Sequence, residues 1–369
     1  MRKPLILLAS VASMALTAVA VPAHAVTTER SAPPATPVSC GSVLQVTTRL
    51  TADLTCPTGN GLTLANGVTL NLGGHTLTGN RDGVGLTTPE SGTVTIENGS
   101  IAGWKSGIAN AIGYAPAAAT ITLKKVAFLN NAVGTYISLN PTTVQVTKSR
   151  FLGNDTGLLA FKGPTVRIDT SQFSKNSGAV MLSEAKATIT TTVFTKNGDA
   201  ISGNEYTLTG TKLAFLANTN AVTNFEGAAT ISDSVFRNNT RAFRADSIGG
   251  TINELFRNRF LRNTTAVAVS DNIHLQGNIF RANQLGFRSD TRQQEQAGFP
   301  TKTARLEDNT FTRNGDAVII DGVAYLKSTV AVNNTGYGIY APRAIDLGGN
   351  VAYGNGTEPQ CTGVICTRK

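Results

Sequence analysis

The chain has 369 residues, of which 15% are charged and 41% apolar, with a formal net charge of +9. So modest a positive balance, with no Lys/Arg-rich run, argues against nucleic acid and leaves anionic glycans or cell-wall polymers as charged partners. Beyond the first 25 residues no segment offers the roughly 18 unbroken apolar residues of a membrane span.

Residues 1–25 read as an export signal. Arg2 and Lys3 form a charged start, an apolar stretch runs from Leu5 to Val21, and Ala23-His24-Ala25 is a small-x-small cleavage site. The mature chain would begin at Val26, carry a net +7 and be secreted. Residues 26–39 are rich in Pro, Ser and Thr without apolar periodicity, which predicts a flexible linker. Residues 40–369 read as one domain. An exported chain meets oxidising conditions, so Cys40 with Cys56 and Cys361 with Cys366 are expected as disulfides capping its two ends. A cysteine metal site would need all four together, and none is expected.

The domain is a repeat. F-x-x-N recurs at Phe128/Asn131, Phe151/Asn154, Phe173/Asn176, Phe194/Asn197, Phe215/Asn218, Phe236/Asn239, Phe260/Asn263, Phe280/Asn283 and Phe311/Asn314. Degenerate copies are read at Leu77/Asn80, Ile101, Val330/Asn333 and Ala352/Asn355, giving 13 coils. Steps of 20 to 24 residues are interrupted once by a step of 31, from an insertion at 290–303. With each Phe as position zero, positions −7, −5 and +7 are mostly apolar and their neighbours mixed. That is the period-two signature of strands with one buried face. A unit of this length cannot close a core alone, but stacked copies can, each strand pairing with its copy in the next coil. The phenylalanines would form an aromatic ladder, and the asparagines a hydrogen-bonded column at a tight bend. Ser149, Ser171, Thr192, Ser234, Asn258, Asn278 and Asn309 at −2 would form a second polar ladder. The expected fold is therefore all-β: a right-handed parallel β-helix, a solenoid of about 13 coils. N-x-S/T strings such as Asn263-Thr264-Thr265 follow from the repeat and say little about glycosylation.

The opening GNGLTLANGVTLNLGGHTLTG (59–79) and the N-x-F-x-x-N-x-x-G/A-I/V repeats resemble right-handed parallel β-helix proteins of the pectin-lyase-like superfamily. The resemblance covers residues 40–360. It implies a polysaccharide or cell-envelope glycan as partner, and its members include lyases and hydrolases as well as coils without known activity. His75, in LGGHTLTG, reads as cap structure. The N-T-D, D-D, G-H-G, D-P-H and W-x-D-H strings of the enzymes are absent, and the single Trp, Trp104, is followed by Lys105 and Ser106.

Function must then be sought where outward columns depart from the repeat. Thr188, Thr190, Thr209, Thr211, Thr230 and Ser232 give way to Glu254, His274, Arg305 and Glu307 on three consecutive coils about 4.8 Å apart, beside the insertion. These four are the candidate catalytic residues, with His274 able to act as a base near neutral pH. Gln276, Arg244 and Arg288 are the candidate substrate-binding residues. An acidic series, Glu184, Glu205, Glu226, Asp246, Asp271, Asp290 and Asp321, occupies positions +10 or +11 and reads as a solvated turn. No cofactor is implied, although Ca²⁺ could neutralise such a column. A basic series, Lys175, Lys196, Arg237, Arg262, Arg281 and Arg313, lies at +1 or +2 and could hold an anionic glycan along the coils. The primary reading is a binding solenoid without evident catalysis; the alternative is a polysaccharide lyase or glycoside hydrolase acting on an acidic polysaccharide.

Overall fold

The computed structural model describes residues 38–110, 118–139, 141–291 and 301–368. The signal and most of the linker lie outside them, as does most of the 290–303 insertion. The described chain is all β, a parallel β-solenoid of about 14 turns. The additional turn lies at the start, where Leu54–Thr55 pairs beneath Thr76–Thr78 and puts Leu54 under Leu77. No helix among the described residues is long and apolar enough to cross a membrane.

One coil illustrates all. The first face is Thr165–Asp169, the second the short Gln172–Ser174, and the third Gly178–Ser183. Third-face strands stack into one parallel sheet of 15 strands. Alternation decides what faces in. Val166, Ile168, Phe173, Val180 and Leu182 are buried, and the residues between Val166 and Ile168 or flanking Phe173 point outward. Single residues with positive φ turn the chain between the first two faces, as at Lys148, Thr170, Thr191 and Lys212.

Nine phenylalanine rings stack in register from Phe128 to Phe311, with neighbouring centroids between 4.3 Å (Phe280–Phe311) and 5.2 Å (Phe173–Phe194). Burial of each ring contributes roughly 2–3 kcal/mol before entropy is counted. The column must meet small residues at +6. A Cβ on Gly157 would lie 2.5 Å from the Ala179 carbonyl oxygen and 3.2 Å from the Phe173 ring. Glycine or alanine therefore fills that column.

The asparagines satisfy the bend between the second and third faces. Asn197 Nδ2 donates to the Phe173 carbonyl of the coil before (3.1 Å) and to Asn218 Oδ1 of the coil after (2.9 Å), while Asn197 Oδ1 accepts from Asn176 N and Nδ2 (3.0 Å each). Both ends are closed by other residue types. At the first, Trp104 takes the asparagine position; its Nε1 donates to the Leu77 carbonyl (3.1 Å) and its backbone N–H to Asn131 Oδ1 (2.9 Å). At the last, Gln360 Oε1 accepts from Asn355 N and Nδ2 (2.9 and 2.8 Å). Asn263 is buried in this ladder, so its N-x-T string presents no free amide. The −2 column forms the second ladder: Ser149 N–H donates to Ser171 Oγ, and Asn258 N–H to Asn278 Oδ1.

Two degenerate copies shift. Pairing puts Ala331, not Val330, beneath Phe311, so Asn334 rather than Asn333 enters the ladder. Asn333 is instead the positive-φ bend residue. Leu77 joins the core column, but Asn80 is exposed and donates to the Pro57 carbonyl. Both disulfides form, Cys40–Cys56 and Cys361–Cys366.

Candidate functional site

Ile252–Phe256, Asn272–Gln276 and Thr303–Glu307 are consecutive first-face strands in register, which aligns Glu254 with His274 and Arg305, and Gln276 with Glu307. Asn253, Leu255, Ile273, Leu275, Ala304 and Leu306 point into the core, so the predicted residues share the outer surface. Arg305 reaches along its own strand to Glu307, with Nη2 and Nε 2.6 and 3.0 Å from Oε1. His274 Nε2 lies 3.3 Å from the other carboxylate oxygen, and its ring takes Phe256 edge-on at 5.3 Å between centroids. Glu254 accepts from Thr230 Oγ1 (3.0 Å), and Gln276 is exposed. The Arg305 hydrogen bonds, aided by His274, hold the Glu307 carboxyl below its ordinary range. An ionised, doubly partnered Glu307 is suited to orienting His274 and not to donating a proton near neutrality.

Arg244 and Arg288 sit on the third face, two coils apart with Ala268 between them. With Arg241, Asp246 and Asp290 they line a shallow groove of about 480 Å³ floored by Thr265, Val269 and Leu285. Arg244 Nε meets Asp246 Oδ2 at 2.5 Å, and Arg288 Nη2 meets Asp290 Oδ2 at 3.7 Å. The groove offers guanidinium donors beside carboxylate acceptors. Arg241 went unnoticed in the sequence because it begins the third-face strand, outside the columns that were compared.

A second groove, of about 510 Å³, lies on the second face and its bend. Arg237, Arg259, Arg262, Arg281 and Arg313 line it with Leu261, Ile279 and Ala282. All five arginines are exposed, and among the described residues none is ion-paired. Four of them belong to the basic series; Arg259 is new. Its column reads Arg150, Gln172, Val193, Ala214 and Val235 on earlier coils, and the return of an arginine after four uncharged residues was the signal available. Unit charges one coil apart repel by about 0.9 kcal/mol in water, so the repeat gains nothing from this clustering.

The acidic series does not form one solvated column. Glu184 and Glu205 are exposed, but Glu226 accepts from Ile248 N, Gly249 N and Ser247 Oγ. Asp271 is buried, accepting from Thr251 Oγ1 (2.6 Å) and Asn253 Nδ2 (3.0 Å). Lys302, also buried, enters this corner from the end of the insertion and donates to the Ser247 carbonyl. Burial pushes the Lys302 ammonium below its ordinary value against the pull of Asp271, Glu226 and Asp246, and burial raises Asp271. Lys302 lies 55 positions from Ser247 and enters through the insertion, which breaks the period that would have aligned the two. Among the described residues no group of three or more His, Cys, Asp or Glu is arranged to hold a metal ion.

Fold and surface together define a parallel β-solenoid that carries two arginine-lined grooves and a Glu–His–Arg patch over the coils of Phe236 to Phe311. The chain shows no significant match to any protein-family model, curated protein or solved structure.

Proposed function

We propose that the protein is a secreted β-helix of the pectin-lyase-like kind that binds an anionic polysaccharide or cell-envelope glycan along its coils without turning it over. The observation that carries this reading is the third-face groove. Its outward column is Leu159, Met181, Ser202 and Thr223 on earlier coils and becomes Arg244 and Arg288 where the groove opens. Arginine forks match carboxylates on a uronate, and the neighbouring Asp246 and Asp290 can accept from sugar hydroxyls.

Binding of polygalacturonate and of neutral glucans, measured by calorimetry across a salt series, tests this. A hydrogen bond to a charged group contributes about 1.5–3 kcal/mol, so Arg244→Ala and Arg288→Ala should each weaken uronate binding about tenfold or more. Absence of any salt-sensitive glycan binding ends the proposal. A second reading, cleavage of an acidic polysaccharide at the first-face patch, is favoured by one contact, His274 against Glu307. Its test is release of unsaturated uronate absorbance or reducing ends, which His274→Ala should abolish; turnover unchanged in both His274→Ala and Arg305→Ala removes the patch.

A further inference from the structure

We infer that the second-face arginine groove is a separate site for a linear phosphodiester polymer lacking bases, of the polyol-phosphate kind. The site does not depend on the glycan reading, since it lies on a different face and shares no residue with the third-face groove.

Arg237, Arg262, Arg281 and Arg313 come from four successive coils; Arg237 and Arg281 share one outward column with Leu261 between them, and Arg262 and Arg313 lie one residue further along, so the four alternate between two columns. They advance about 4.8 Å at each step, or about 14 Å in all, with Arg259 flanking the row. Among the described residues no carboxylate lines the groove, in contrast to the third face, where each of Arg244 and Arg288 already holds an aspartate. Arg262 and Arg313 also adopt positive φ (56° each), a backbone conformation that glycine or asparagine enters more readily. Two of these cations thus stand at positive-φ bend positions, and among the described residues none of the five has an ion-pair partner.

The ligand must bring several anions in a row and neutralise cations from adjacent coils. A carboxylate presents its two oxygens in one plane, a geometry that matches a single guanidinium fork. A phosphodiester presents two non-bridging oxygens that point apart, so one group can bridge arginines on neighbouring coils. Among the described residues the lining holds no aromatic ring on which bases could stack, which single-stranded nucleic-acid sites use. Duplex DNA carries a charge about every 1.7 Å of its axis, far denser than a row stepping about 4.8 Å. A phosphate polymer read through its charges alone fits what is present.

The test is calorimetric binding of the full mature chain to poly(glycerol phosphate), polygalacturonate and duplex DNA of matched charge, across a salt series. The expected result is preference for poly(glycerol phosphate), with log affinity falling against log salt at a slope of about 3, from about 0.7 per contact over four contacts. The double variant Arg237→Ala/Arg281→Ala should lose at least 100-fold for that polymer, while Arg244→Ala/Arg288→Ala leaves it unchanged. Arg237→Lys/Arg281→Lys keeps the charge but not the fork and should still lose about tenfold. All the altered side chains are exposed, and unchanged circular dichroism would certify the fold. Equal or tighter binding of polygalacturonate by the Arg244→Ala/Arg288→Ala variant, or of DNA by the parent, overturns the assignment, as does phosphate-polymer affinity unmoved by loss of Arg237 and Arg281. Polygalacturonate binding lost only in the third-face variant leaves this site standing; phosphate-polymer binding lost only there removes it.

Discussion

Replacing Asn218 with alanine should destabilise the protein by about 3–6 kcal/mol. Asn218 lies within the asparagine ladder and is buried. Its Oδ1 accepts from Asn197 N and Nδ2 (2.9 Å each), and its Nδ2 donates to the Phe194 carbonyl (3.1 Å). Alanine leaves those three groups without that partner in a dry interior. Each such loss costs about 1–3 kcal/mol. The sum is held below its upper limit because Asn197 Nδ2 keeps its bond to the Phe173 carbonyl, and Asn239 Oδ1 still accepts from the residue 218 backbone. Guanidinium denaturation followed by far-ultraviolet circular dichroism measures the change, with Asn204→Ala as control. Asn204 is exposed in the same region, and its replacement should stay within about 0.5 kcal/mol. Because each coil contacts only its neighbours, the variant should also show the two halves of the solenoid beginning to melt separately. A loss under about 1 kcal/mol with a single transition would refute the claim that the ladder ties the coils together.

Trp104→Phe keeps most of the apolar volume but removes the Nε1 donor to the buried Leu77 carbonyl, so a loss of about 1–3 kcal/mol is expected in the same assay, concentrated in hydrogen exchange of the first coils. Glu307 has a folded-state pKa depressed by Arg305 and then His274, so its contribution is present above the ordinary carboxylate range and is lost as pH falls through the depressed value. Glu307→Gln should therefore lower the melting temperature near neutral pH, by the equivalent of about 1 kcal/mol for a pair half open to solvent, and match the parent at pH values acidic enough to protonate the carboxylate.

The core was legible because each column is specified many times over. Inward residues at −7, −5 and +7 and the polar ladders at −2 and +3 are where the rhythm puts them. The reading slipped at Val330/Asn333 because alanine had replaced phenylalanine there, leaving two adjacent asparagines and no aromatic marker to choose between them. The first-face patch was legible as a juxtaposition, since register alone aligns Glu254, His274 and Arg305. Its internal ion pair was not, because whether Arg305 reaches outward or along its strand to Glu307 depends on side-chain conformation. Lys302 was illegible for a different reason: it enters the corner through an insertion that breaks the period.

The three outer faces have no structural reason to change character together. Core columns constrain inward side chains only, and the coils before Phe236 fill most outward positions with threonine, serine or apolar residues, with charges such as Arg150, Arg167 and Lys186 standing singly. Yet the first face acquires Glu254, His274, Arg305 and Glu307, the second its five arginines and the third Arg241, Arg244 and Arg288, all between the coils of Phe236 and Phe311. The phenylalanine and asparagine ladders run through the same coils unaltered. A drift in surface composition would scatter such changes along the stack. Concentration on four coils, at the expense of like-charge repulsion that the fold does not require, is what a surface shaped by its ligands would show.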